Sequence, residues 1–246
     1  MISRRALLLS LLPQGTSLVA LDVRTGRTLE SHRAEAAPSP PGSTLKPFVL
    51  AALIEDQLLP SDPRRACPTR LSVGNHRLDC THGPLAAPPG PEEALAYSCN
   101  CWFAAMSQRL RPTTLSRWGF SRIQSAADTA LLALGVEGIL TSPLELAQAY
   151  RRLALERPKT RSFDPVFRGL AAAAEYGTAR LARPDGLTIA GKTGTVGVPL
   201  AAWFAGYAPE DDPRWVVTVY LEQGRGGSQA APIAKECFER LRSSSR

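Results

Sequence analysis

The stretch Pro41-Gly42-Ser43-Thr44-Leu45-Lys46-Pro47-Phe48 decides how this chain is read, because a Pro-rich loop, Pro38 to Gly42, turns there into an apolar segment. That segment, Thr44 to Leu59, predicts a helix stopped by Pro60. Residues three apart lie on one helix face, so the Lys46 amine can approach the Ser43 hydroxyl. Serine is a poor nucleophile until a base takes its proton. A desolvated lysine near a second cation can be neutral enough to take it, and arginine cannot. The helix N-terminus adds unsatisfied N–H groups for a developing oxyanion. The plain structural alternative is a helix cap and a surface lysine.

Outward from this segment, the chain divides by periodicity. Thr16 to Val23 alternates, Arg24 to Arg27 is a turn, and Thr28 to Ser31 runs back, which reads as a hairpin. At the other end Leu187 to Lys192, Ala201 to Ala208 and Arg214 to Glu222 read as three strands, followed by a closing helix, Ala230 to Leu241. Between them Pro91 to Tyr97, Cys99 to Leu110, Pro112 to Trp118, Ser142 to Leu155 and Asp164 to Tyr176 favour helix. Strands at both ends with helices between predict an α+β fold. One antiparallel sheet, built from the two termini, is flanked by helices and carries an inserted all-helical subdomain over about 60–182. The expected catalytic domain spans 16–242.

The composition supports a real core: 246 residues, 44% hydrophobic, with a net charge of +7. A disordered tail and a disulfide-stapled mini-protein are excluded. The longest apolar run, Ala6 to Leu12, falls far short of the ~20 residues of a membrane-spanning helix, so a polytopic membrane protein is excluded as well. The arginines are scattered and not interleaved with aromatics, which argues against nucleic acid. Met1 to Leu12, with Arg4-Arg5 ahead of an apolar run, has the layout of an export signal. No small-x-small cleavage site follows, so a disordered start over 1–15 is the alternative. Five cysteines cannot all pair in one chain. Cys67 and Cys80 flank a loop rich in Pro, Gly and Asn, where a disulfide is plausible. A zinc site from Cys67, Cys80 and His82 is the alternative, but the sequence offers no fourth ligand at a usual spacing, so no metal is assigned. Cys99 and Cys101 read as small core residues.

Two further motifs carry chemistry. Ser98-Cys99-Asn100 offers a hydroxyl to relay a proton and an amide to hold a substrate backbone. Lys192-Thr193-Gly194-Thr195 puts a cation, hydroxyls and a glycine on a strand that can take an extended peptide by β-addition and fix a terminal carboxylate. Lys192 is also the second cation that would lower the pKa of Lys46. Only four of the 29 basic residues are lysine, and two of the four stand in these motifs. With independent placement, all three motifs in this order arise by chance in about one chain in a thousand.

These motifs resemble the penicillin-binding, active-site serine D,D-peptidase and β-lactamase superfamily. The similarity continues through Pro41 to Phe48, the His82-Gly83 loop, Thr141 to Tyr150, Ala190 to Thr195 and Trp203 to Tyr207, all of which look like penicillin-binding protein transpeptidase domains. The resemblance implies that Ser43 attacks the D-Ala-D-Ala carbonyl of a peptidoglycan stem peptide, with Lys46 as base and Ser98 relaying the proton. It implies that Asn100 holds the acyl-side amide, and that Lys192, Thr193, Gly194 and Thr195 bind the substrate's carboxylate end. Backbone N–H groups of Ser43 and Thr195 would form the oxyanion hole. No cofactor is implied. The implied location is extracytoplasmic, in the periplasm or on the outer face of the cytoplasmic membrane. β-Lactams would act as covalent inhibitors or substrates, and a separate glycosyltransferase or cell-wall assembly protein as partner. Relatives usually carry a membrane anchor and a glycosyltransferase or pedestal domain. This sequence shows neither and reads as a minimal catalytic module. A D,D-carboxypeptidase or β-lactamase is the alternative within the fold, although no class A glutamate motif is visible and Asn100 replaces the apolar residue of class D enzymes. A non-catalytic sensor or scaffold module is the alternative of another class.

Overall fold

The computed structural model describes residues 12–124 and 128–244, so nearly all of the candidate export segment lies outside the described residues. β1 (Thr16–Asp22) and β2 (Thr28–His32) form the N-terminal hairpin, and β3 (Ala190–Val196), β4 (Ala201–Ala208) and β5 (Trp215–Leu221) form a C-terminal meander. They join into one antiparallel sheet built from both termini, as the sequence predicts, and the strand order is β2-β1-β5-β4-β3. The seam is β1 on β5, in unbroken register from Thr16 opposite Leu221 to Asp22 opposite Trp215. Strand periodicity sends Val19 and Leu21 to one face and Leu18 and Ala20 to the other, and both faces are covered.

The principal helices are α1 (Lys46–Glu55), α2 (Pro91–Ala96), α3 (Asn100–Ser107), α4 (Pro143–Glu156), α5 (Asp164–Glu175) and α6 (Ala231–Ser243). Proline occupies one of the first two positions of α1, α2, α4, α5 and α6, where its missing N–H costs nothing. α6 covers one face of the sheet through Ala234, Phe238 and Leu241. α1 lies on the other side and is buried from Lys46 through Leu53, so it has no polar face and serves as the central helix. Its Phe48 ring meets Trp118, Phe120 and Tyr150 at centroid distances of 5.7, 5.0 and 5.1 Å. α4 opens with a capping box between Ser142 and Glu145, and its Tyr150 hydroxyl donates to Thr44 O at 3.0 Å, tying α4 to the turn that precedes α1.

The structure shifts four sequence expectations. The inserted subdomain, expected to be all-helical, also carries two short antiparallel ladders, Ser72–Val73 with His76–Arg77 and Arg122–Ile123 with Ile139–Leu140, because each pair of segments is brought together by a loop that folds back on itself. The segment from Thr44 begins as a 3-10 turn, Gly42–Leu45, and the α-helix ends at Glu55. The expected strand Leu187 to Lys192 moves down the chain to Ala190–Val196. Its ladder with β4 starts at Ala190 opposite Tyr207, after the Pro184-Asp185-Gly186 turn, so the whole Lys-Thr-Gly motif is strand. Cys67 and Cys80 are free thiols with sulfurs 3.6 Å apart, far beyond the about 2.05 Å of a disulfide, which overturns the disulfide reading. No helix among the described residues is long and apolar enough to cross a membrane.

Gly42 N donates to Gly135 O at 2.9 Å, and Gly135 holds φ +68°. A Cβ on Gly135 would overlap the Gly42 carbonyl. Gly135→Ala is therefore expected to lose about 2–4 kcal/mol in urea unfolding, through backbone clash and left-handed strain together. Gly83→Ala, which meets open space, stays within about 0.5 kcal/mol in the same assay.

Candidate active site

All three motifs meet where the 3-10 turn, the α2–α3 turn and β3 converge. The α2–α3 connection is tight. Ser98 adopts the left-handed conformation, φ +58°, and Cys99 caps α3, its sulfur accepting from Trp102 N. This turn presents three acceptors to Lys46. The Lys46 amine donates to Ser98 O at 2.8 Å, Ser98 Oγ at 3.2 Å and Asn100 Oδ1 at 2.5 Å. Asn100 is held by its own amide, which donates to Leu78 O at 2.9 Å and Asp79 O at 3.3 Å.

Ser43 is half-buried and sits on the 3-10 turn Gly42–Leu45, whose main chain packs against β3 at Gly194 and Thr195. The Ser43–Lys46 hydrogen bond that the helix spacing allows is not made, because the amine is drawn to the three acceptors of the second motif. Catalytic hydrogen bonds in unliganded enzymes are often loose in this way and tighten with substrate. Burial pushes the Lys46 pKa down to about 8, against the opposing pull of the Cys99, Cys80 and Cys101 thiols. The sequence reading gave that lowering to Lys192. Burial supplies it instead, and it is Lys192 that lies well below the usual range, first through burial and then through the charge of Lys46.

β3 is an edge strand, paired to β4 on one side only, so its other edge is available to an extended peptide. Lys192 is fully buried and donates to Thr178 Oγ1 at 3.2 Å and Thr193 O at 3.0 Å. Thr195 is exposed, and its hydroxyl accepts from Gly226 N at 3.1 Å. Gly194 is packed between backbones. A Cβ there would stand 2.8 Å from Pro41 O and 3.3 Å from Thr44 N, while a Cβ on Gly226 would overlap the Gly194 carbonyl. Gly42 likewise lies against Thr195, with Thr195 N 3.5 Å from where a Cβ would be. These close approaches bring the main chain at Ser43 beside the main chain at Thr195, the pairing an oxyanion hole needs.

A cavity of about 350 Å³ opens beside Thr193 and Thr195, with Tyr97, Tyr176, Thr178 and Arg180 in its wall. Sequence reasoning missed these four. Thr178 and Arg180 have no motif of their own, and only the fold puts them against β3. His76 Nε2 pairs with Glu137, and His82 is engaged by Gly83 O at Nδ1 and lies 3.8 Å from Cys67 Sγ at Nε2, so neither imidazole is hydrogen-bonded to Ser43. The aromatics Trp203 and Phe204 are fully buried, Trp203 donating to Pro40 O at 2.9 Å.

Comparisons with known proteins agree with this geometry. The chain is 27% identical to a peptidoglycan D,D-transpeptidase, PbpA, of Mycolicibacterium smegmatis over 83% of its length, and it spans 55% of that relative. A D,D-transpeptidase domain from Eggerthella lenta superposes with a TM-score of 0.81 at 19% identity, covering 99% of this chain and 81% of that one. Penicillin-binding protein 3 of Mycobacterium tuberculosis, solved with aztreonam, gives 0.78 at 20% identity, covering 94% of this chain and 72% of that one. The model of the penicillin binding protein transpeptidase domain matches residues 16–239, nearly the whole described fold, and the chain belongs to that family.

Proposed function

We propose that the chain is a serine D,D-transpeptidase acting on peptidoglycan stem peptides outside the cytoplasm. The observation that carries this reading is a buried lysine whose amine contacts the second motif and stands one turn from a half-exposed serine, beside a free strand edge.

The steps follow from the groups present. The neutral fraction of Lys46 takes the Ser43 proton as Oγ attacks the penultimate D-Ala carbonyl. The backbone N–H groups of Ser43 and Thr195 hold the oxyanion. Ser98 Oγ, 3.2 Å from the Lys46 amine, passes that proton to the leaving D-Ala nitrogen. The acyl-enzyme then passes to the amine of a second stem peptide. Asn100 holds the acyl-side amide, and Thr193, Thr195 and Lys192 serve the terminal carboxylate. Thr195 reaches it directly, and the buried Lys192 contributes charge from beneath. A β-lactam enters as an acyl donor whose leaving nitrogen stays tethered, which blocks the second step. A separate glycosyltransferase would supply the glycan strands that carry the acceptor.

Incubation with benzylpenicillin, followed by intact-protein mass, is expected to give a persistent adduct on the wild type and none on folded Ser43→Ala. Rapid loss of the adduct with hydrolysis of the drug would make the protein a β-lactamase, and no adduct with any β-lactam would leave a binding module. Lys46→Met should slow acylation at least about 100-fold. Because Lys46 must be neutral and its pKa is about 8, the acylation rate should rise by about tenfold per pH unit below 7 and level off above 8.5. A flat rate between pH 6 and 9, taken from stopped-flow acylation, would remove Lys46 as the base.

A further inference from the structure

We propose that Arg180, in the wall of the cleft beside β3, is a specificity-determining residue whose guanidinium pairs with the carboxylate at the end of the donor peptide. The proposal rests on the transpeptidase reading for its ligand, and it gives the charged contact to a residue outside all three motifs.

The cation of the third motif is poorly placed for that contact. Lys192 has no exposure, and its amine is already turned to Thr178 Oγ1 and Thr193 O. Burial and the charge of Lys46 hold its pKa well below the usual range, so a carboxylate would meet a lysine that readily gives up its proton. The hydroxyls of Thr193 and Thr195 can donate to a carboxylate but cannot neutralise it. The cavity of about 350 Å³ that opens beside those two threonines has one lining residue that is charged at every working pH, and it is Arg180.

The fold fixes where Arg180 stands. α5 ends at Glu175, and the main chain that follows is fastened from two sides. Thr178 N donates to Ala96 O at 3.3 Å, and Ala179 N to Ala173 O at 2.8 Å. Gly177 makes the close approach to α2 possible, since a Cβ there would stand 2.3 Å from Ala96 O. On the strand side, the Thr178 hydroxyl receives the Lys192 amine and its carbonyl accepts from Thr193 Oγ1 at 3.5 Å. Arg180 opens the 3-10 turn Arg180–Ala182 two residues further on and is exposed, while Ala179 before it and Ala182 after it are fully buried. No acid claims it. Among the described residues no ion pair or hydrogen bond engages its guanidinium, whereas Arg168 pairs with Glu92 and Arg240 with Glu30. A planar guanidinium with its donors free matches the two oxygens of a carboxylate. Tyr97 and Tyr176, with rings 5.6 Å apart in the same wall, add an apolar flank that strengthens a charged contact beside it.

The test compares ligands that differ only in that carboxylate. Benzylpenicillin carries one where the peptide's terminal carboxylate would lie, and its methyl ester does not. Acylation of the full chain by each is timed for wild type, Arg180→Gln, Arg180→Lys and Arg183→Gln. Arg180→Gln is expected to slow acylation by the free acid about tenfold and to leave the ester's rate unchanged, with Arg180→Lys recovering part of the loss. Arg183→Gln, outside that wall, should behave as wild type. An equal loss for acid and ester, or no loss for either, would overturn the proposal. A wild type that no β-lactam acylates would instead overturn the serine reading. Arg180 is then decided without acylation, by equilibrium binding of a peptide ending in D-Ala-D-Ala and of its C-terminal amide. The free acid should bind Arg180→Gln about tenfold more weakly than wild type and the amide equally well, and identical binding of the acid to both proteins would sink the assignment.

Discussion

Burial of the Lys46 side chain is the constraint on which the rest of the structure turns. An ammonium group with no exposure is affordable only if it is hydrogen-bonded or gives up its proton, and Lys46 does some of both. Three oxygens of one turn satisfy its donors, while burial draws its pKa toward neutrality. No carboxylate among the described residues pairs with Lys46 or Lys192; a carboxylate would hold the proton in place and end any role as a base. Both lysines rest on hydroxyl, amide and carbonyl oxygens, which satisfy either protonation state. The price is conformational: Ser98 must hold a left-handed backbone to turn its oxygens toward the amine.

That demand passes into the fold through main-chain contact. Three elements bring backbone against backbone at glycines: Gly42 with Gly135, Gly194 with the 3-10 turn, and Gly226 with Gly194. Gly194 is sandwiched, the 3-10 turn carrying Ser43 on one face of β3 and the Gly226–Ala230 turn that leads into α6 on the other. Its place in the motif is thus explained by close approach of the main chain on both sides. The central helix adds the opposite kind of restraint. Every side chain from Lys46 to Leu53 is enclosed, so α1 can neither rotate nor slide without exposing apolar surface or colliding with the Phe48 aromatic cluster.

The sequence made legible whatever a local pattern encodes. Strand alternation at both ends, the helix-stopping prolines and the three motifs led to the sheet, the helices and all eight candidate residues at the site. What stayed hidden depends on contacts distant in sequence. Thr178, which receives the Lys192 amine, and Arg180 in the cleft wall belong to a turn after α5 with no pattern of its own. The boundaries of β3 were misplaced because Gly191 and Gly194 interrupt the strand signal, and its ladder with β4 decides the matter. The source of the Lys46 shift was misjudged for the same reason: desolvation is a property of the packed site and leaves no trace in spacing.

Cys99 shows how close the two kinds of information lie. In the sequence it separates two chemically interpretable residues and reads as filler. In the structure that middle position fixes the orientation of its neighbours, because its sulfur caps α3 while the preceding residue turns left-handed and the following one begins the helix. Cys80 grips the same turn from outside by accepting the Asn100 N–H, and Leu78 and Asp79 hold the Asn100 amide. The loop from Cys67 to His82 therefore acts on Lys46 at one remove, through the carboxamide that accepts from its amine. A change in that loop, far from Ser43 in sequence, therefore reaches the Lys46 amine through one hydrogen-bonded side chain, Asn100.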